Sequence, residues 1–156
     1  MFIRYEKINA RKLVGISAEM SISRDTTPEL FSRFMKLISG RFSEFRPTIY
    51  DLRVFPPGLP VSFDTLYVKW AAIEQSTCSD LPEQFGEFSL SEGEYAVFLH
   101  KGTASDAGGT FGYIFGEWLP SSGRKIDDRP HFDLLQQGYD PSDPTAEHEI
   151  WIPVTS

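Results

Sequence analysis

The chain can be laid over itself. Leu13 falls on Tyr95, Leu30 on Gly112, Tyr50 on Phe132 and Tyr67 on Glu149, at an offset of about 82 residues. Residue identity between the halves is weak; what recurs is the order of patterns. KLVGISAEMSI, from Lys12 to Ile22, is rich in branched and small residues and reads as a strand. TTPELFSRFMKLISGR follows, with Leu30, Phe34, Leu37 and Ile38 at helical spacing, Thr27 placed to cap, Pro28 at the first position and Gly40 as the stop. TIYDLRVF (Thr48–Phe55) and DTLYVKWAAI (Asp64–Ile73) read as two more strands, separated by the turn PPGLP. The pattern then restarts. EYAVFLHKG is a strand, and TFGYIFGEWLP is a helix with Phe111, Ile114, Phe115 and Trp118 on one side. SSGRKIDDRP is a loop, PHFDLLQQ a strand, GYDPSDPTAE a loop and HEIWIPV the last strand. Even Gly40-Arg41 has a counterpart in Gly123-Arg124.

A strand–helix–strand–strand unit used twice predicts an α+β fold: a duplicated repeat forming two pseudo-symmetric halves, each with a helix on one face of an antiparallel sheet. The free sheet faces would meet around a ligand cleft. The 156 residues suffice for one domain. Repeat one runs over about 10–73, an acidic connection over about 74–92 with room for one short strand at its end, and repeat two over about 93–155.

Thirteen Phe, six Tyr and three Trp exceed what one small core needs, which leaves rings to line a cavity or an interface. The net charge of −7 speaks against direct nucleic-acid binding, which rests on Lys and Arg displacing counterions. It favours the approach of cationic small molecules, although the same charge more often serves only solubility. No segment approaches the roughly 20 apolar residues that span a bilayer, and MFIRYEKINARK lacks the apolar run of a signal peptide. The single cysteine, Cys78, fits a reducing compartment, so a cytoplasmic protein without membrane partners is expected.

The closing strand raises the question of the site. In an extended chain Ile150, Ile152 and Val154 share one face, and Glu149, Trp151 and Pro153 the other. A carboxylate among rings loses hydration at an effective cost of several kcal/mol, which an organic cation can replace. Each nearby ring adds cation–π attraction of roughly 0.5–2 kcal/mol. The alternative is a solvated glutamate on an outer face. Trp151 would be a flat platform, or a rim residue. Tyr67 takes the role opposite Glu149 through the repeat offset. Tyr50 and Phe132 hold matching strand positions, as sides of the cleft or as core. Trp118 lies on its helix stripe, and Tyr113 stands off it. His100, His131 and His148 show no zinc spacing, and His148 points away from Glu149. There is no nucleophile elbow, P-loop or dinucleotide fingerprint, so no catalytic residue, metal or cofactor is assigned.

EKINARKLVGIS, GEYAVFLHKG, FGEWLPSSGRKIDDRPHFDLL and YDPSDPTAEHEIWIPV together resemble the gyrase-inhibitor-like domains, relatives of the effector-binding domains of AraC-type and MerR-type transcription regulators. The resemblance covers nearly the whole chain. It implies a duplicated strand–helix–strand–strand fold and capture of small, often aromatic and cationic compounds between the halves, with Glu149 as the matching glutamate. Strand patterning begins within about a dozen residues of Met1, which resembles the free-standing members. The resemblance also leaves two alternatives: a hydrolase of reactive electrophiles in which Glu149 helps to activate water, and an inhibitor of a macromolecular partner such as DNA gyrase.

Overall fold

A computed structural model describes residues 1–42, 47–58, 62–136 and 139–155. The end of PHFDLLQQ (Gln137) and the end of PPGLP (Leu59, Pro60) lie outside them. The strands are β1 (Phe2–Ile8), β2 (Arg11–Met20), β3 (Ile49–Val54), β4 (Tyr67–Glu74), β5 (Gly86–Leu90), β6 (Gly93–Lys101), β7 (Lys125–Ile126), β8 (His131–Leu135) and β9 (Glu147–Thr155). Helix α1 covers Thr27–Ile38. A second helical stretch comprises α2 (Ala107–Tyr113), a π-helical turn over Ile114–Trp118, and α3 (Leu119–Ser122).

Eight strands pair antiparallel in the order β1-β6-β9-β8-β3-β4-β2-β5, and the short β7 adds to the end of β9. The antiparallel α+β expectation is met. Two four-strand runs, β1-β6-β9-β8 and β5-β2-β4-β3, meet at the β3–β8 junction, where Asp51 pairs with Asp133.

The connections force curvature. β1 and β2 lie near opposite edges, yet only Asn9 and Ala10 join them, and only Ser91 and Glu92 join β5 to β6. Six strand spacings laid flat would span about 29 Å, whereas such a link reaches about 11 Å. The sheet therefore curls until its edges approach. Ile8, Leu13, Leu90 and Tyr95 meet there in one buried cluster.

Curling gives the sheet an inner and an outer face. The inner face buries Tyr50, Leu52, Ala72, Val97, Phe132 and Trp151, drawn from alternate positions of neighbouring strands. On the outer face α1 buries Leu30, Phe34 and Ile38 against β2 and β4. The second helical stretch places Ile114 against β6 and β9. Gly15 permits the close approach of β2 to β4, since a Cβ there would stand 2.0 Å from the Ala71 carbonyl oxygen.

Three local expectations change. β1 is a full strand that the reading from Lys12 onward passed over, its mixed residues being shared between two faces of an edge. Thr27 does not cap α1: Thr26 holds that position without a side-chain bond, and the Thr27 hydroxyl and N–H bond Asp25 instead. Phe115 is exposed, because the π turn shifts the helical phase after Tyr113 and takes it off the stripe shared by Phe111, Ile114 and Trp118. The 74–92 connection carries a 3-10 turn at Gln75–Thr77 and, at its end, the short strand expected there, β5.

Candidate functional site

The inner face brings Glu149, Trp151, Tyr50 and Phe132 to one side of the sheet, as strand alternation requires. The rings close on one another instead of lining a cleft. Phe132 stacks on Trp151 at 5.3 Å, and Tyr50 and Tyr95 lie 5.3 and 5.0 Å from Phe132. All four are buried. Burial also pushes the Tyr95 hydroxyl up to about 12. Tyr50, Phe132 and most of Trp151 are thus core, because the curl turns a sheet face into an interior.

Glu149 stands at the rim of this interior, 27% exposed, and it already has a counter-charge. Arg4 donates from Nη1 to Oε2 at 3.1 Å and from Nη2 to Oε1 at 3.4 Å, while the Trp151 indole N–H donates to Oε1 at 3.1 Å. The expectation of a carboxylate without a mate is corrected: β1 supplies the arginine. Both oxygens of Glu149 are thus engaged by Arg4 and Trp151, so the geometry presents no free carboxylate for the water activation that the hydrolase alternative needs.

Tyr67, Trp118 and Tyr113 are on the other side. Trp118 packs on Phe2, Tyr5 and Phe98 beneath the second helical stretch, where Tyr113 also joins the core. Tyr67 is buried on the outer face against Phe55, because odd positions of β4 point toward α1. The repeat offset matched Tyr67 to Glu149, but the two strands present those positions to opposite faces.

That placement brings Tyr67 to a second acidic cluster. The two outer cores sit over β2–β4 and over β6–β9, leaving a strip along β3 and β8 between them. Five titratable side chains converge there, all mostly buried. Arg53 donates to Asp133 at 2.8 Å and to Asp51 at 3.4 Å. Lys69 lies 3.4 Å from Asp51 and donates to the Thr27 hydroxyl at 2.8 Å, which ties the strip to the start of α1. His148 Nε2 lies 3.1 Å from Asp133, while its buried Nδ1 has no partner among the described residues.

Rings wall the strip. Phe55 packs against Tyr67 at 5.0 Å and edge-on to His131 at 5.1 Å. Tyr139 meets His148 edge-on at 5.3 Å, and the Arg53 guanidinium lies 5.8 Å from the Phe111 ring centre. Burial and the Arg53 charge push His131 down to about 3, so it is neutral at pH 7. Burial alone would raise Asp133, but Arg53 and His148 outweigh it and hold the carboxyl below its ordinary value. Burial, then Asp25, raises the Tyr67 hydroxyl to about 12.

Sequence reading missed this cluster. Its signal was present in alternation, since Asp51 and Arg53, and likewise His131 and Asp133, place titratable groups at every second position of strands whose other face is apolar. A hollow of about 540 Å³ lined by Gly15, Ser17, Arg33, Trp70, Gln84 and Gly86 lies beside β2, apart from both acidic clusters. Among the described residues no group of three or more His, Cys, Asp and Glu is placed to hold a metal ion, and no helix is long and apolar enough to cross a membrane.

The family described as GyrI-like small molecule binding domain matches residues 1–155. The chain is 31% identical over 156 residues to the transcriptional regulator BrlR of Pseudomonas aeruginosa, covering 99% of this chain and 56% of that protein. It therefore spans little more than half of the regulator's length. Among solved structures, a putative bacterial transcription regulation protein from Staphylococcus aureus MU50 superposes with a TM-score of 0.72 at 16% identity, over 100% of this chain and 99% of that one. SAV2435 bound to tetraphenylphosphonium superposes with a TM-score of 0.68 at 16% identity, over 100% and 94%. At such identity these two establish a shared fold.

Proposed function

Since the chain belongs to the family of GyrI-like small-molecule-binding domains, we propose that it captures aryl-bearing cations in the strip between its two helical layers. The observation that carries this reading is Arg53. Its guanidinium is itself a flat, delocalised cation, and it rests between two carboxylates, Asp51 and Asp133, near the face of Phe111. The strip thus already stabilises the kind of charge a guest would bring. A guest that moves the Arg53 side chain aside inherits both carboxylates and the ring walls of Phe55, Tyr67, Phe111 and Tyr139. The tetraphenylphosphonium held by SAV2435 is an aryl-bearing cation, which supports the same ligand class here. By likeness to BrlR, such capture would serve as the sensing step of a regulator, with Asp133 and Asp51 reading charge and the rings reading shape.

The test is a titration of ethidium, tetraphenylphosphonium and a sulfonated dye against the wild type, Asp133→Asn and Phe111→Ala. The cations bind the wild type and the sulfonate does not. Asp133→Asn weakens the cations at least tenfold, and Phe111→Ala, which leaves every charge in place, weakens them severalfold. Equal affinity for all three dyes, or unchanged cation affinity in both variants with melting curves showing them folded, overturns the proposal.

A further inference from the structure

The hollow beside β2 arises where one strand outruns its neighbour. β4 accompanies β2 as far as Met20, whereas β5 accompanies it only from Arg11 to Gly15, where Gly15 pairs with Gly86. Just before Gly86 the chain is drawn off toward helix α1, with Phe85 stacked on Phe34 at 5.6 Å. A notch of about 540 Å³ therefore opens along the β2 edge at Gly15, Ile16 and Ser17, a volume within the range of sites that hold small organic molecules. Arg33 and Leu37 of α1 overhang it from the outer side. Trp70 closes it from the inner side, packed on Phe88 and so near Gly86 that a Cβ there would stand 3.4 Å from its ring.

The chemistry of the notch is the reverse of that of the strip. The chain carries a net charge of −7, yet no carboxylate lines the notch, and Arg33 is its one charged group. Arg41 and Arg53 pair with Asp80 and Asp133, whereas Arg33 has neither ion pair nor hydrogen bond among the described residues, Glu29 one turn before it included. The Ser17 hydroxyl, the Gln84 amide and the Trp70 indole N–H also lack partners among them. We propose that the notch binds small aryl carboxylates, up to the size of a naphthalene ring system. The Arg33 guanidinium offers the carboxylate a forked pair of N–H donors, and the ring lies against Trp70 with Leu37 and Ile16 beside it. Each contact needs the other: an exposed guanidinium alone holds an anion weakly, and the apolar walls supply the area that makes the pairing selective. The proposal does not rest on cation capture in the strip.

The probes are 2-naphthoate and its uncharged counterpart 2-naphthamide, titrated calorimetrically against the wild type, Arg33→Gln and Arg33→Lys. The wild type binds the naphthoate about tenfold more tightly than the amide, and added salt narrows the gap. Arg33→Gln erases the preference, and Arg33→Lys, which keeps the charge but not the fork, retains part of it. Ser17→Tyr, which fills the notch and leaves Arg33 in place, weakens both compounds. Arg33 and Ser17 are exposed, so melting curves of these variants stay close to that of the wild type. Amide NMR shifts on adding the naphthoate centre on Ser17, Gln84, Gly86 and the Trp70 indole N–H, away from Asp133 and His148 of the strip. Failure of the naphthoate to bind, equal affinity for the two probes, a preference that survives Arg33→Gln, or shifts centred on the strip overturns the proposal.

Discussion

Asp51 and Asp133 face each other in register across the junction of β3 and β8, and Arg53 reaches both. Two like charges in adjacent strands repel, so this pairing persists only because a cation stands with them. Lys69 on Asp51 completes the balance, and His148 Nε2 lies within hydrogen-bond distance of Asp133 from the other side. The centre of the fold is therefore held by compensated charge.

Removing the compensation is expected to be costly. Arg53→Met leaves two buried carboxylates short of a partner, and unfolding in urea should show a loss of about 3–5 kcal/mol. Adding Asp133→Asn to that variant, which leaves the Lys69–Asp51 pair intact, should restore most of the loss. A single Arg53→Met costing under about 1 kcal/mol would mean that Lys69 and His148 suffice.

Acid should weaken the protein in two stages. His131 titrates near 3 when folded, against an ordinary value of 6.5, so protons bind the unfolded chain first and stability falls as pH drops from about 6.5 toward 3. The slope is at most about 1.4 kcal/mol per pH unit. Below about pH 4 the depressed Asp133 adds its own loss, since the unfolded carboxyl takes up a proton before the folded one does. His131→Gln should flatten the upper stage and leave the lower, as read from urea midpoints at half-unit pH steps.

Gly15→Ala tests the closeness of β2 and β4. The added methyl would meet backbone at 2.0 Å, and backbone cannot swing away as a side-chain tip can. A melting temperature lower by the equivalent of about 2 kcal/mol or more is expected.

Phe132→Ala decides whether the inner aromatic face is core. Its ring touches Tyr50, Tyr95 and Trp151 and is 2% exposed, so truncation should cost about 3–5 kcal/mol in urea. By contrast Glu149→Gln, at a partly exposed pair, should change stability by about 1 kcal/mol or less.

The elements that periodicity governs were readable from sequence. α1 carries its apolar stripe at Leu30, Phe34 and Ile38, and β3, β4, β6, β8 and β9 fall where alternation placed them. Which residues share a face also followed, as for Glu149 with Trp151. What lay beyond reach was set by strands far apart in sequence. The curl that turns Tyr50 and Phe132 from cleft into core depends on links between opposite sheet edges. The partner of Glu149 comes from a bulge near the start of the chain, and a bulge changes which face a residue sees without leaving a periodic trace. The strip cluster gathers its five members from four strands, Asp51 and Arg53 from β3 and Lys69, Asp133 and His148 from one strand each.

The crosswise links have a last consequence. β1 borders β6, and β5 borders β2, so each half of the chain lends a strand to the other and receives one in return. Neither half is a finished object by itself. A fragment ending before β5 would display an unclaimed partner-seeking edge, and two complementary fragments mixed in solution should assemble where each alone fails. This mutual loan makes the halves fold or fall together.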